Sequence, residues 1–208
     1  MTALDEITQK IMTALEAKNG AREQALTSSR KVIQHCALTI RAAHRAEYAE
    51  AARLLSLARD AAQQLRDGTR TYPDLYYAGY VQDALKEFAE ASIVSALVQA
   101  QPLPDPDALA VDYAAYLNGM GEAAGEMRRH ALDLIRQGQA REAEAALQWM
   151  EDIFSVLVSV DFPDAITGGL RRTADMVRGV LERTRGDVTL TIKQEELMLA
   201  LKGAKDAG

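Results

Sequence analysis

One cysteine, Cys36, excludes an intramolecular disulfide and suits a reducing compartment. With no second thiol beside it, Cys36 reads as a small buried hydrophobe, not a nucleophile. No stretch of about 18 apolar residues occurs, so no membrane-spanning helix is expected. The opening MTALDEITQK carries acids and no apolar core, so no secretory leader is expected, and a cytoplasmic location follows. Only 5 prolines and 13 glycines interrupt 208 residues, and Ala, Leu, Glu and Arg recur throughout, a composition that favours helix. No Glu-x-x-His occurs anywhere, which argues against a ferritin-like di-metal carboxylate site.

Acidic charge is plentiful and unevenly placed. The net charge is -6, yet residues 1–70 carry 11 Lys/Arg against 8 Asp/Glu, and residues 171–208 carry 8 against 6. The acid is concentrated in residues 71–170, with 5 Lys/Arg and 16 Asp/Glu. Two clusters stand out there: Glu87-x-x-Glu90 in KEFAEA and Glu122-x-x-x-Glu126 in GEAAGEM. Each spacing puts two carboxylates on one helix face. Four carboxylates brought together by two helices repel one another and call for a cation. Hard divalent ions such as Mg²⁺ or Mn²⁺ prefer such oxygen ligands. A metal-dependent phosphoryl-transfer site is one reading. A pair of solvated helix faces is the other.

Hydrophobic residues, 48% of the chain, suffice for one sizeable core, and residues 1–208 read as a single all-α bundle of about seven helices. The first covers 3–45, with a break expected near Asn19-Gly20, and has Val32, Cys36, Thr39 and Ala43 on one stripe flanked by Ile33 and Ile40. The second covers 46–67, with Ala51, Leu54, Leu55 and Ala58 inward. A third runs from Tyr72-Pro73-Asp74 to about Ala100, and the prolines of QPLPDPD (101–107) end it. The fourth spans 107–137 and stops at Gly138. The fifth spans 139–159, the sixth runs from Pro163 to Arg185, and Gly186-Asp187 precedes a last helix over 188–202. The β-branched run Val188–Ile192 could instead be extended.

Several of these segments resemble the translin family, in order along the chain. AYLNGMGEAAGEMRR (115–129) is similar to the family's DYL-x-G…GEL-x-R helix, and KEFAEASI (86–93) to the QEYVEA segment of translin-associated factor X, TRAX. PDLYYAGY resembles the YY entry to that helix, SRKVIQH…AAHR the long first helix, and LRRTADMVRGVLERTRGDVT (170–189) the LR-x-x-x-D helix. The resemblance covers about residues 20 to 195.

TRAX-like members pair two acids at i,i+3 with two at i,i+4, a set that translin lacks. Here Glu87, Glu90, Glu122 and Glu126 match it, with Glu122 where TRAX has Asp. The basic, His-containing cluster that translin places after YY is absent, and Ala78-Gly79-Tyr80 stands there. The resemblance therefore implies a translin-like helical fold and an endoribonuclease that holds Mg²⁺ or Mn²⁺ through the four glutamates. It also implies single-stranded RNA or single-stranded DNA as partner, inside a homo-octameric barrel. Arg22, Arg30, Lys31 and Arg45 on the first helix, and Arg171, Arg172 and Arg178 on the sixth, are candidate phosphate contacts. Tyr76, Tyr77 and Tyr80 could stack on bases or pack in the core, His130 could join the site or serve structure, and Trp149 reads as packing. Two alternatives stay open: a nucleic-acid-binding oligomer without catalysis, and a structural helical adaptor.

Overall fold

The computed structural model describes residues 2–206. Among them are nine helices and no strand. The all-α expectation holds, and the helix count goes from seven to nine because three single-turn helices are added and the last two expected helices are one. Cα packing groups the chain into two units, one up to Ala91 and one from Ser92.

The first unit holds α1 (Ala3–His44), α2 (Tyr48–Thr69), α3 (Pro73–Tyr76) and α4 (Gly79–Val98) as far as Ala91. Ala25, Ser29, Val32, Cys36, Thr39 and Ala43 are buried on α1, and Ala51, Leu54, Ala58, Ala61, Leu65 and Thr69 on α2. These positions advance by three and four, the spacing of a helix–helix seam, and their small side chains let two backbones approach closely. Leu55 is half-buried and Ile33 is 39% exposed, so the flank expected on Ile33 faces outward. The break expected near Asn19-Gly20 is not there. A Cβ at Gly20 would meet nothing within 4 Å, and its flanking residues sustain the helix through it.

The third expected helix divides at Tyr77-Ala78. Pro73 starts one turn, and the chain then re-enters as α4. From Phe88 to Leu97 every residue of α4 is buried, including Glu90, Ser92 and Ser95.

The second unit contains the end of α4, α5 (Pro106–Leu109), α6 (Tyr113–Arg136), α7 (Ala140–Ser159), α8 (Asp164–Thr167) and α9 (Leu170–Asp206). Helices α6, α7 and α9 pack pairwise around Met127, Met150, Leu157, Val177 and Val188. Asp105 caps α5 by accepting from the Ala108 N–H at 2.7 Å, and left-handed Ala110 ends it before α6 begins. Gly138 ends α6 at φ 75°, and Gly168 and Gly169 at φ 62° and 86° set the entry to α9.

One expectation about residues 186–192 is overturned: Gly186-Asp187 does not break the chain, because α9 runs through it. The helix expected from residue 188 is present, and the extended alternative for Val188–Ile192 is not taken. Tertiary contacts override propensity here. Thr184 and Val188 are buried, and Arg128 binds Thr184 Oγ1 and Asp187 Oδ2, each at 2.9 Å.

Three alanines, Ala46, Ala100 and Ala110, hold φ between 52° and 57°, where a Cβ is strained. Ala46 is exposed and follows α1, with the Glu47 N–H reaching Ala42 O at 2.9 Å. Ala46→Gly keeps this bond and removes the strain. It is expected to stabilise the fold by about 1 kcal/mol, read from the midpoint of urea unfolding.

Candidate functional site

The acidic pairs lie on α4 and α6. On α4, Phe88 between them is fully buried, with the Arg59 guanidinium carbon 5.8 Å from its ring centroid. That packing fixes the roll of α4. Glu87 is part-exposed, with Lys86 Nζ at 4.0 Å, while Glu90 is only 8% exposed. Cys36 faces the same pair. Burial pushes its thiol well above the usual range, and the negative charge of Glu87 and then Glu90 pushes it further.

The roll of α6 is set by polar groups that sequence reading missed. Asn118 Nδ2 donates to the carbonyls of Ala114 and Thr167, both at 2.8 Å, and Thr173 Oγ1 donates to Asn118 Oδ1 at 2.6 Å. Ten residues on, Arg128 binds Thr184 and Asp187 of α9. Gly121 sits between these anchors, and a Cβ there would overlap Thr173 Cγ2. Gly121 and Arg128 occupy one flank of α6. Glu122 and Glu126 emerge about 100° or more around the axis. The clamp thereby aims both glutamates.

Glu87, Glu90 and Glu122 each offer a carboxylate oxygen, and these three atoms lie within 4.8 Å of one another. Unit charges about 4 Å apart near a protein surface repel by roughly 4 kcal/mol. A cation with oxygen ligands at about 2.1–2.5 Å can bridge oxygens spaced this way. The donor set is all hard oxygen, so the residues fit Mg²⁺ or Mn²⁺. Glu126, one turn beyond Glu122, is not among the three, and it lies 3.8 Å from Arg129.

The candidate phosphate contacts fall into two sets. Arg22 pairs with Glu23 at 2.7 Å, Arg45 binds Glu47 through two bonds of 2.8 and 2.6 Å, Arg171 lies 3.9 Å from Asp161 and Arg178 3.3 Å from Asp175. Arg30, Lys31 and Arg172 are exposed and carry no ion pair among the described residues. Tyr77 is 68% exposed and meets Tyr76 edge-to-face at 4.9 Å, whereas Tyr80 is half-buried and its hydroxyl has no hydrogen-bond partner among the described residues. His130 and Trp149 are half-buried. Tyr116, not singled out by sequence, donates to the Pro104 carbonyl at 2.7 Å and ties α6 to the proline loop. Among the described residues, no helix is long and apolar enough to cross a membrane.

No protein-family model matches the chain. An uncharacterised protein of Methanocaldococcus jannaschii is 28% identical over 205 residues, covering 97% of this chain and 90% of that one. The crystal structure of AfC3PO is 31% identical, with a TM-score of 0.83 over 90% of this chain and 97% of that one. The same protein in a complex with duplex RNA is 30% identical, with a TM-score of 0.82 over the same shares. Apo-NeC3PO, at 20% identity and a TM-score of 0.79 over 92% of this chain and 98% of that one, shares the fold.

Two outcomes follow from the packing. Thr173 cannot swing away from a new methyl without losing its bond to Asn118, so Gly121→Ala is expected to cost about 1–3 kcal/mol in urea unfolding. Cys36 is fully buried and its thiol stays protonated, so a disulfide-exchange reagent at pH 8 is expected to label it only as fast as the protein unfolds.

Proposed function

The chain belongs to the translin family of C3PO proteins, and from that premise we propose that it is a TRAX-like endoribonuclease cutting single-stranded RNA, with single-stranded DNA as a second ligand. The observation that carries this reading is the gathering of Glu87, Glu90 and Glu122 oxygens within 4.8 Å. A solvated helix face does not bring carboxylates from two helices together, one of them 8% exposed.

In this reading Glu87, Glu90, Glu122 and Glu126 are the catalytic and metal-binding set, for Mg²⁺ or Mn²⁺. Such an ion supplies Lewis-acid activation of water and offsets charge on the phosphoryl oxygens. Burial holds Glu90 in one place. Glu126, displaced along α6, is the carboxylate suited to orient water or accept its proton. Arg30, Lys31 and Arg172 are the cations ready for phosphate, while Arg22, Arg45, Arg171 and Arg178 exchange a carboxylate for it. Tyr77 offers an open ring for stacking. Residues 1–208 act as one translin-like domain in a cytoplasmic homo-octamer that encloses its substrate. AfC3PO has been solved with duplex RNA, so paired RNA belongs in the test.

The test is cleavage of a labelled single strand, and of its duplex, with Mg²⁺, with Mn²⁺ and with EDTA. Glu90→Gln and Glu126→Ala are expected to slow metal-dependent cutting by roughly 100-fold or more while leaving RNA affinity within a few-fold. Tight binding with no cutting in either metal would support the reading without catalysis. Neither binding nor cutting would leave a helical adaptor.

A further inference from the structure

Glu87 and Glu90 share a face of α4 with a cation, Lys86. Four residues separate Lys86 from Glu90, so the lysine stands one turn before Glu90 and about 40° from it around the axis. Glu87 lies about 60° beyond Glu90 on the same side. The three side chains thus form one stripe, with the glutamate that is 8% exposed in its middle. Helical side chains lean toward the N-terminus, which carries Glu90 back toward Lys86. Phe88, on the far side of the helix, is fully buried and holds the stripe where it is.

Lys86 Nζ comes within 4.0 Å of Glu87 Oε1, and its side chain is only 22% exposed, against 39% for Lys18 and 68% for Lys193 in their own pairs. A charge withdrawn this far from water is screened less by solvent and salt. It therefore counts for more than the open surface pairs of the chain. The Glu87, Glu90 and Glu122 oxygens within 4.8 Å repel one another whenever no divalent ion stands among them. An ammonium beside Glu87 relieves part of that repulsion. The same ammonium repels an arriving divalent ion, which must also replace the relief that the lysine already gives. Lysine suits this position because its charge is compact and rides on a flexible stem.

We propose that Lys86 is a built-in counter-ion of the carboxylate group. It stabilises the fold when the group holds no metal, and it lowers the affinity of the group for a divalent cation. This rests on the metal part of the reading above and is independent of RNA.

The experiment strips the full chain with EDTA and titrates it with Mn²⁺, reading free ion by electron paramagnetic resonance. Lys86→Gln is expected to bind Mn²⁺ roughly tenfold more tightly than wild type. Lys86→Arg keeps the charge and is expected to stay within about threefold of wild type. Lys193→Gln, the same loss of charge at an exposed site, is expected to leave Mn²⁺ binding unchanged. In EDTA the urea midpoint of Lys86→Gln is expected to fall below wild type, and that of Lys86→Arg to recover most of the loss. A residue that merely held α4 in shape would lose stability and metal affinity together, whereas a counter-ion trades one for the other. Wild-type or weaker Mn²⁺ binding by Lys86→Gln would overturn the proposal. So would an unchanged or higher midpoint in EDTA, or a Lys193→Gln variant that binds as tightly as Lys86→Gln. If no form of the protein binds Mn²⁺, the metal reading fails, and Lys86 stands or falls as a counter-ion on the midpoints in EDTA.

Discussion

A helix buried over half its length must be apolar on every side, and α4 meets that demand with Phe88, Ala89, Ala91, Ile93, Val94, Ala96 and Leu97. Glu90 sits in the middle of that run. An ionised carboxylate at such a position is costly unless a counter-charge or hydrogen bonds accompany it. Glu90 is thus a carboxylate fixed inside an otherwise apolar run. Burial gives α4 one position and one roll, so the acids it carries cannot turn away from a neighbouring carboxylate as surface side chains would. The same rigidity that makes the arrangement costly is what the proposed ligand set would draw on.

On α6 the aim of the glutamates is secured differently. Apolar packing alone permits a helix to roll by some degrees at little cost. Directional bonds from Asn118 and Arg128, with Gly121 pressed against Thr173, remove that freedom. One pair of acids is thus oriented by enclosure and the other by hydrogen bonds.

Much of this was legible in the sequence where periodicity carries the signal. The seam of Val32, Cys36, Thr39 and Ala43 on α1 and of Ala51, Leu54 and Ala58 on α2 follows from helical spacing, as do the shared faces of Glu87 with Glu90 and Glu122 with Glu126. The translin resemblance, built on short segments in order, named the right family. What stayed hidden depends on distant partners. Gly186-Asp187 has the local chemistry of a stop, and only Arg128, more than 50 residues away, shows why the helix continues. Thr167, Thr173 and Asn118 look like ordinary polar residues until the fold brings them together. Single-turn helices such as α3 and α5 are too short to carry a period, so two proline-led turns were absorbed into longer neighbours. Alanines in left-handed geometry left no trace either, because glycine is the residue that usually marks such stops.

The length of α1 has a consequence for what holds its first turns in place. An unsupported helix of some 20 residues is marginal in water even with a good cap. The segment ahead of Ala25 has such a cap and little else from its own chain, Lys18 to Asp74 apart. Its helicity rests on the Thr2 cap, on side-chain bonds along its own face and on the Lys18 tether, because no apolar packing begins before Ala25. The first 20 residues are therefore the part of α1 whose helix is held by local bonds alone.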